Sequence, residues 1–191
     1  SVARTEGGVR LRVHGEELGF DAVILACHSD QAQALLTDAD DRERAVLGHI
    51  PYAANTAWLH TDTSVMPTRR QAWSSWNYYT ARQGGAELPV AVTYWLNRLQ
   101  PLPFKTPVFV TLNPPEPIAP ECVIRRIDYA HPQLDTAAYA AQQEVNSLQG
   151  RNGVYFAGAW TGYGFHEDGL KSALRVARLL GADIPWQTQP D

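Results

Sequence analysis

Residues 154–173 constrain the fold of this 191-residue chain more than any other stretch. The apolar run Val154–Ala157 is typical of a buried strand, and it leads into a turn punctuated by Gly158, Gly162 and Gly164 and then into an amphipathic helix. A strand that ends in a small residue leaves bare backbone for a ligand, and a helix that begins there presents unpaired N–H groups and a positive dipole end. This arrangement predicts an anion or cofactor site, although a corner that serves packing alone has the same pattern.

The same stretch is similar to the C-terminal FAD signature of the flavin-containing amine oxidase and phytoene desaturase superfamily. The likeness rests on Phe156-Ala157-Gly158, a short loop, and then Asp168-Gly169 and the Ser172-Ala173 pair at the start of the last helix. The resemblance implies an FAD-dependent oxidoreductase with a Rossmann-like cofactor domain and a substrate domain. It also implies that FAD is bound by Gly158, Ala159, Trp160, Asp168, Gly169 and Leu170.

Three positions depart from the superfamily pattern. Ala159 stands where many members carry an acid that binds the ribityl or pyrophosphate part of FAD, Asp168 stands where glutamate is usual, and Ala173 stands where a glycine often follows the serine. We therefore expect the contact of that acid to be lost or replaced. The amides of Gly169 and Leu170 are expected to lie against the flavin, where the helix dipole stabilises the negative charge of the reduced ring.

His166 is the candidate catalytic residue, because an imidazole titrates in the range that suits proton transfer, and capping is its alternative role. Its neighbours Glu167 and Asp168 are expected to cap the last helix. The sequence contains no nucleophile triad or close carboxylate pair, but flavin chemistry needs no protein nucleophile. Cys27 and Cys122 are far apart and the histidines lack metal-ligand spacing, so neither a disulfide nor a metal is expected.

Composition narrows the class of protein. The net charge of −4, with acids and bases interspersed, provides no basic stripe, so nucleic acid is not an expected partner. No apolar run approaches the roughly 20 residues of a membrane span, and we expect a cytoplasmic protein that is not transmembrane. Met66 is the only methionine, and the sequence contains no G-x-G-x-x-G. We therefore expect a fragment that lacks the N-terminal Gly-rich half of the flavoprotein. Such a fragment is expected not to retain FAD and to self-associate.

The predicted fold class is α+β, α/β overall: a mainly antiparallel substrate domain joined to strand-turn-helix parts of a Rossmann-like FAD domain. Segment 1–50 is assigned to the FAD side. It is predicted to hold a hairpin that turns at Gly15-Glu16-Glu17 and a strand Phe20–Cys27 that is buried on both faces. Two helices follow, the first capped by Ser29 or Asp30 and the second by Asp38 or Asp40. Segment 134–191 holds a helix capped by Asp135 or Thr136, the FAD-motif strand and the final helix. Segment 51–133 is the substrate domain, with predicted strands at Thr56–Thr63, Gln71–Thr80, Val90–Leu99, Val108–Leu112 and Val123–Tyr129.

The predicted sheet is rich in aromatic residues. Adjacent rings such as Tyr78-Tyr79 and Tyr94-Trp95 must point to opposite faces, so one face can pack while the other lines a pocket for a neutral or apolar ligand. By analogy, the reaction is hydride transfer to flavin from an amine or an apolar, lipid-like substrate. The alternative is a non-catalytic β-rich module that binds an apolar ligand or a partner protein, and a G-x-G-x-x-G in the upstream coding sequence would favour the enzyme.

Overall fold

The computed structural model describes residues 1–79, 82–83, 86–87, 91–114, 116–184 and 186. The chain forms two compact units: Ser1–Tyr52 with Pro132–Asp191, and Ala53–His131. We call these the split unit and the inserted unit. Helices and mainly antiparallel sheets confirm the α+β class. The predicted assignment of the flanking segments to an FAD domain stays a prediction.

The strands in chain order are β1 (Val2–Thr5), β2 (Gly8–Val13), β3 (Glu16–Phe20), β4 (Val23–Leu25), β5 (Tyr52–His60), β6 (Trp76–Tyr79), β7 (Arg82–Gln83), β8 (Ala86–Glu87), β9 (Ala91–Trp95), β10 (Phe109–Leu112), β11 (Val123–Pro132) and β12 (Val154–Phe156). The α-helices are α1 (Ser29–Leu35), α2 (Asp41–Gly48), α3 (Leu96–Leu99), α4 (Thr136–Glu144) and α5 (His166–Leu179). Short 3-10 turns occupy Arg70–Ala72, Pro120–Cys122, Val145–Leu148 and Ala159–Thr161. Within the described part of the chain, no helix combines the length and the apolar character needed to cross a membrane.

The split unit opens with an antiparallel sheet of β1, β2 and β3. The predicted hairpin is present, but the turn falls at His14 and Gly15, whose φ angles of 49° and 89° suit a two-residue hairpin turn. The expectation of one continuous strand Phe20–Cys27 is wrong. β3 ends at Phe20, the chain bends, and β4 covers three residues.

Burial of β4 on both faces is also wrong, because Ile24 is 47% exposed. β4 pairs in parallel with β12, with Ile24 opposite Tyr155. On the other edge of β12, the Gln149 side chain accepts from the Phe156 N–H at 2.9 Å and donates to its carbonyl at 2.7 Å. The side chain of Gln149 thus takes the place of a neighbouring strand there, while β4 has no second strand beside it among the described residues.

The core of the split unit gathers residues from β1, β2, β4, β12 and the helices α1, α2 and α4 around the fully buried Leu47, Leu148 and Phe156. Asp40 caps α2 and Asp135 caps α4, each accepting from the N–H three residues later at 2.8 Å, as the sequence predicts. α1 begins at Ser29, so His28 is its N-cap rather than Ser29 or Asp30.

The inserted unit is built on a five-stranded sheet in the order β11-β5-β10-β9-β6. Two predicted strands are too long. Gln71–Thr80 contains a 3-10 turn before β6, and Thr80 itself lies outside the described residues, as does Val90. Val90–Leu99 changes to helix after Trp95, because the Asn97 side chain accepts from the Val108 N–H at 2.8 Å and donates to the Thr106 carbonyl at 2.9 Å.

Rings lie on both faces of this sheet, as the sequence predicts. Trp76 and Tyr78 are 52% and 61% exposed on one face, whereas Asn77 between them is buried. The buried face packs on Met66, Trp73 and Phe109. Trp73 packs edge-on against Trp95 with ring centroids 5.3 Å apart.

Candidate functional site

The parallel strands β4 and β12 end at the same edge of their sheet, Leu25 opposite Phe156. Ligands of open parallel sheets bind beyond the carboxyl ends of the strands. Residues 26–28 leave this edge after β4, and Ala157–Trp160 leave it after β12. The edge is therefore the candidate site, and all of its residues belong to the split unit.

Gly158 is required at this edge by its neighbour Trp160. Its φ of 156° is unfavourable for other residues, and a Cβ there would lie 2.5 Å from the Trp160 Nε1 atom. Trp160 is 3% exposed and donates from Nε1 to the Cys27 carbonyl at 2.9 Å. The expectation of bare backbone above Gly158 is therefore wrong, because the Trp160 indole fills that space and joins the ends of the two strands.

Ser172 ties the last helix to this turn. Its hydroxyl accepts from the Gly158 N–H at 2.9 Å and donates to the Gly169 carbonyl at 2.7 Å, and the residue is 3% exposed. Gln142 on α4 donates from Nε2 to the carbonyls of Trp160 and Gly162 at 2.8 and 2.7 Å. The sequence assigns no role to Gln142, since a single glutamine on a predicted helix carries no signal of its own.

Asp168 holds the loop before the helix, as expected of a capping residue. Its Oδ2 atom accepts from the N–H groups of Tyr163 at 3.1 Å and Phe165 at 3.0 Å. A Cβ on Gly162 would lie 2.7 Å from the Asp168 carboxyl group, so a glycine at position 162 avoids a steric clash with the carboxylate. The cofactor-binding role of Asp168 stays a prediction.

The expected contact of the Gly169 amide with flavin does not fit the helix. α5 begins at His166, three residues earlier than expected, and the Gly169 N–H already donates to the Phe165 carbonyl at 3.3 Å. Leu170 lies one residue further into the helix and is 44% exposed. A Cβ on Gly169 would lie 3.7 Å from the Ala159 nitrogen, an ordinary van der Waals distance, so α5 lies against the 3-10 turn at this residue.

Two pairs of backbone N–H groups at this edge lack an acceptor among the described residues. Ala159 and Trp160 open the 3-10 turn, and His166 and Glu167 open α5. Groups of this kind, at the positive end of helical dipoles, hold acceptor oxygens of anions and cofactors.

The side chains around the start of α5 are open to solvent. His166 is exposed, and its catalytic role stays a prediction. Glu167 pairs with Lys171 at 3.7 Å in an exposed ion pair of adjacent helix turns. Tyr163 and Phe165 are 72% and 67% exposed, which is unusual for rings of this size and marks an apolar surface beside the free amides.

The surroundings of Cys27 and His28, which follow β4, affect a pKa and a ring contact. Burial raises the pKa of the Cys27 thiol, which favours its neutral form. The His28 ring stacks on Tyr52 with centroids 4.5 Å apart, and the Tyr52 hydroxyl accepts from the Ser29 N–H at 2.9 Å. In the residues that the structure describes, no group of three or more His, Cys, Asp or Glu side chains could hold a metal ion.

No protein-family model and no curated protein sequence matches this chain. Among solved structures, it is similar to a CLA-producing fatty acid isomerase from P. acnes, with a TM-score of 0.58, 14% identity, and coverage of 93% of this chain and 46% of the isomerase. It is also similar to cyclohexylamine oxidase from Brevibacterium oxydans IH-35A, with a TM-score of 0.53, 13% identity, and coverage of 94% and 48%. The chain thus spans less than half the length of each. At this level of identity, the likeness is one of fold.

Proposed function

We propose that this chain is part of a cytoplasmic FAD-dependent oxidoreductase, in which an amine or an apolar, lipid-like substrate gives a hydride to the flavin. The observation that carries the proposal is the two pairs of N–H groups that lack an acceptor among the described residues, at the carboxyl edge of β4 and β12. The likeness in fold to an amine oxidase and a fatty acid isomerase supports it.

The residues at this edge fit FAD through backbone rather than through a carboxylate. Ala159 lacks the acid of the superfamily, but its N–H and that of Trp160 are free to bind the ribityl or pyrophosphate oxygens. The amides of His166 and Glu167 would face the flavin edge that gathers negative charge on reduction. When bound, the flavin supplies the hydride acceptor, and this chain positions it.

A second part of the same protein is expected beside β4. Alternate residues of a parallel strand direct their peptide groups to opposite edges, so the N–H and carbonyl of Ile24 face the edge of β4 away from β12. The side chain of Gln149 already covers the far edge of β12. A parallel strand from a Gly-rich N-terminal half can therefore extend this sheet at β4, and the helices that flank parallel sheets would cover the exposed Ile24 side chain.

The chain alone is expected not to retain FAD, because its 191 residues contain no G-x-G-x-x-G to cradle the pyrophosphate. The uncovered surface is expected to self-associate. Gel filtration of the purified chain with added FAD tests this. The expected result is separation of flavin from protein and elution of the protein above its monomer mass. A flavin that stays with the protein would contradict this first expectation.

The decisive test uses the whole gene product that contains these residues. Flavin released from the purified protein is quantified by absorbance, and anaerobic flavin reduction is followed with cyclohexylamine and with an unsaturated fatty acid. Gly169→Val should lower flavin occupancy more than Asp168→Asn, because the valine γ carbons would push the Ala159 turn away from α5. Gly19→Val is the matched control, since a Cβ at Gly19 meets nothing within 4 Å.

Equal flavin content in the wild type, Gly169→Val and Gly19→Val would refute the role of this edge. A whole protein that contains no flavin and no G-x-G-x-x-G would instead favour the non-catalytic binding module. Reduction by the amine but not by the fatty acid would assign the substrate class to amines.

A further inference from the structure

Acids and bases are interspersed over most of this chain, but residues 63–79 and 91–114 of the inserted unit contain no aspartate or glutamate. These two segments carry four exposed cations: Arg69, Arg70, Arg98 and Lys105. The whole chain has 16 cations and 20 acids, so the remaining sequence has 12 cations and a net charge of −8. Positive charge is therefore concentrated on one part of an otherwise acidic chain.

The sheet of the inserted unit brings the two segments together at one of its ends. The connection 96–108 joins the end of β9 to the start of the neighbouring β10. The N–H of Trp95, the last residue of β9, donates to the Ser75 carbonyl at 2.9 Å. Arg98 donates from Nη1 to the Trp73 carbonyl at 3.1 Å. The stretch before β6 and the connection after β9 therefore lie side by side, and we call this place the basic end of the sheet.

Aromatic rings, rather than a carboxylate, orient Arg70 at the basic end. Its guanidinium lies 4.7 Å from the ring centroid of Trp73 and 5.8 Å from that of Trp95. Stacking on an indole leaves the N–H donors of a guanidinium available to a ligand. None of the four cations forms an ion pair within the part of the chain that the structure describes, whereas Arg4 and Arg151 in the split unit each pair with a carboxylate.

The acids of the neighbouring loops do not pair with these cations. Asp62, which follows β5, is 8% exposed, and its carboxylate accepts from two backbone N–H groups. Glu121 precedes β11, which is the opposite edge of the sheet from β6. Glu116 lines a pocket together with Tyr79, the last residue of β6 and therefore at the far end of that strand. The positive charge of the basic end is thus not neutralised by these acids.

Apolar side chains are exposed on the same connection. Leu99 and Phe104 are 45% and 47% exposed, and in the chain they lie between Arg98 and Lys105. The hydrogen bonds of the Asn97 side chain to residues 106 and 108 close this loop at its base. Apolar groups flanked by cations are typical of surfaces that attach to anionic bilayers, since the apolar groups enter the headgroup boundary while the cations meet the anionic headgroups.

We propose that the basic end of the inserted unit binds peripherally to the surface of an anionic lipid bilayer. The four cations lie against the headgroups, and Leu99 and Phe104 enter the headgroup boundary. The rest of the chain, with its net charge of −8, is repelled by the same bilayer, so attachment has one orientation. Nucleic acid phosphates attract cations as well, but the exposed Leu99 and Phe104 together favour lipid over stacked bases. The proposal does not depend on flavin, because all of these residues belong to the inserted unit.

The test measures sedimentation of the 191-residue chain with vesicles of phosphatidylcholine that contain about 30% phosphatidylserine, and with vesicles of phosphatidylcholine alone. A sample without vesicles corrects for protein that sediments through self-association. The chain should bind the anionic vesicles at about 0.1 M salt and leave them as the salt rises to about 0.5 M, because salt screens surface charges. Arg69→Gln/Lys105→Gln should lower the partition coefficient roughly 30-fold, since each cation near an anionic surface contributes about fivefold.

Arg44→Gln/Lys171→Gln is the matched control, because it makes the same change in net charge on exposed residues of the split unit and should leave binding nearly unchanged. Phe104→Ser should lower the partition coefficient roughly fivefold, because part of an apolar ring no longer leaves water. Phe20→Ser removes a ring that is 50% exposed on β3 and should have no such effect. Circular dichroism checks that each variant is folded.

Equal losses in the two double variants would overturn the proposal, because they would show that net charge alone decides binding. Equal binding to the two kinds of vesicle, or equal effects of Phe104→Ser and Phe20→Ser, would also overturn it. Binding of a single-stranded oligonucleotide without binding of the vesicles would assign the four cations to nucleic acid instead. None of these outcomes bears on flavin content, so the proposed function is tested separately.

Discussion

Ser172→Ala should destabilise the split unit by about 1–3 kcal/mol. The substitution leaves the Gly158 N–H without its acceptor at 2.9 Å, in a place where Ser172 itself is 3% exposed and water does not replace the hydroxyl. It also removes the donor to the Gly169 carbonyl at 2.7 Å. For a chain of this length, a central loss of about 2 kcal/mol lowers the unfolding midpoint by roughly 4–8 °C.

Ser147→Ala is the control for this substitution, because the Ser147 hydroxyl donates to the Glu144 carbonyl at 2.6 Å but is exposed. Its expected cost is below about 0.5 kcal/mol. Thermal unfolding by circular dichroism gives the two midpoints, and amide hydrogen exchange at Gly158 gives a local measure. Similar midpoints in the two variants, together with unchanged exchange at Gly158, would refute the argument that Ser172 joins α5 to the turn.

Two other predictions follow from buried groups in the two units. Gly158→Ala should lower the free energy of unfolding in urea by at least about 2 kcal/mol, because its Cβ would meet the Trp160 indole and its backbone conformation is unfavourable for alanine. A loss no larger than that of Gly19→Ala would contradict this prediction. The free energy of unfolding should also fall as the pH drops from about 7 to about 5. Burial holds the folded-state pKa of His60 below its ordinary value of 6.5, so the unfolded chain binds the proton first and stability rises with pH in this window. His60→Gln should flatten that slope in urea titrations at several pH values, and an unchanged slope would rule out His60 as its source.

Patterns in the sequence predicted the elements around the candidate site better than the contacts within it. The strand Val154–Phe156, the turn and the last helix follow from hydrophobic periodicity and glycine placement, and Asp40 and Asp135 follow from capping preferences. The start of α5 does not, because Phe165 at its N-cap has none of the residue types that signal a helix start. Asp168 stabilises that start from within the helix, so the free amides lie at His166 and Glu167 rather than at Gly169.

The unpredicted contacts join residues that are distant in the chain. Trp160 reaches Cys27, and Gln149 covers an edge of β12, through side-chain bonds that no local pattern encodes. The same holds for the buried hydroxyls of Thr93 and Thr111, which meet only through the register of β9 and β10. A period of two residues tells which side chains share a face, and only the pairing of strands tells which of them touch.

The split unit is made from both ends of the described chain, and this affects the order in which the protein can fold during synthesis. The inserted unit is one continuous segment, Ala53–His131, and its first and last strands in chain order, β5 and β11, are neighbours in its sheet. It can fold as soon as its last strand leaves the ribosome, whereas β4 must wait for β12, about 130 residues later in the chain, before it gains its pairing partner. Until then the exposed edge of β4 is a surface for chaperones or for premature association. The inserted unit can also be removed at the level of the gene, since the Gln133 N–H donates to the Pro51 carbonyl at 2.8 Å and a short turn can bridge that gap.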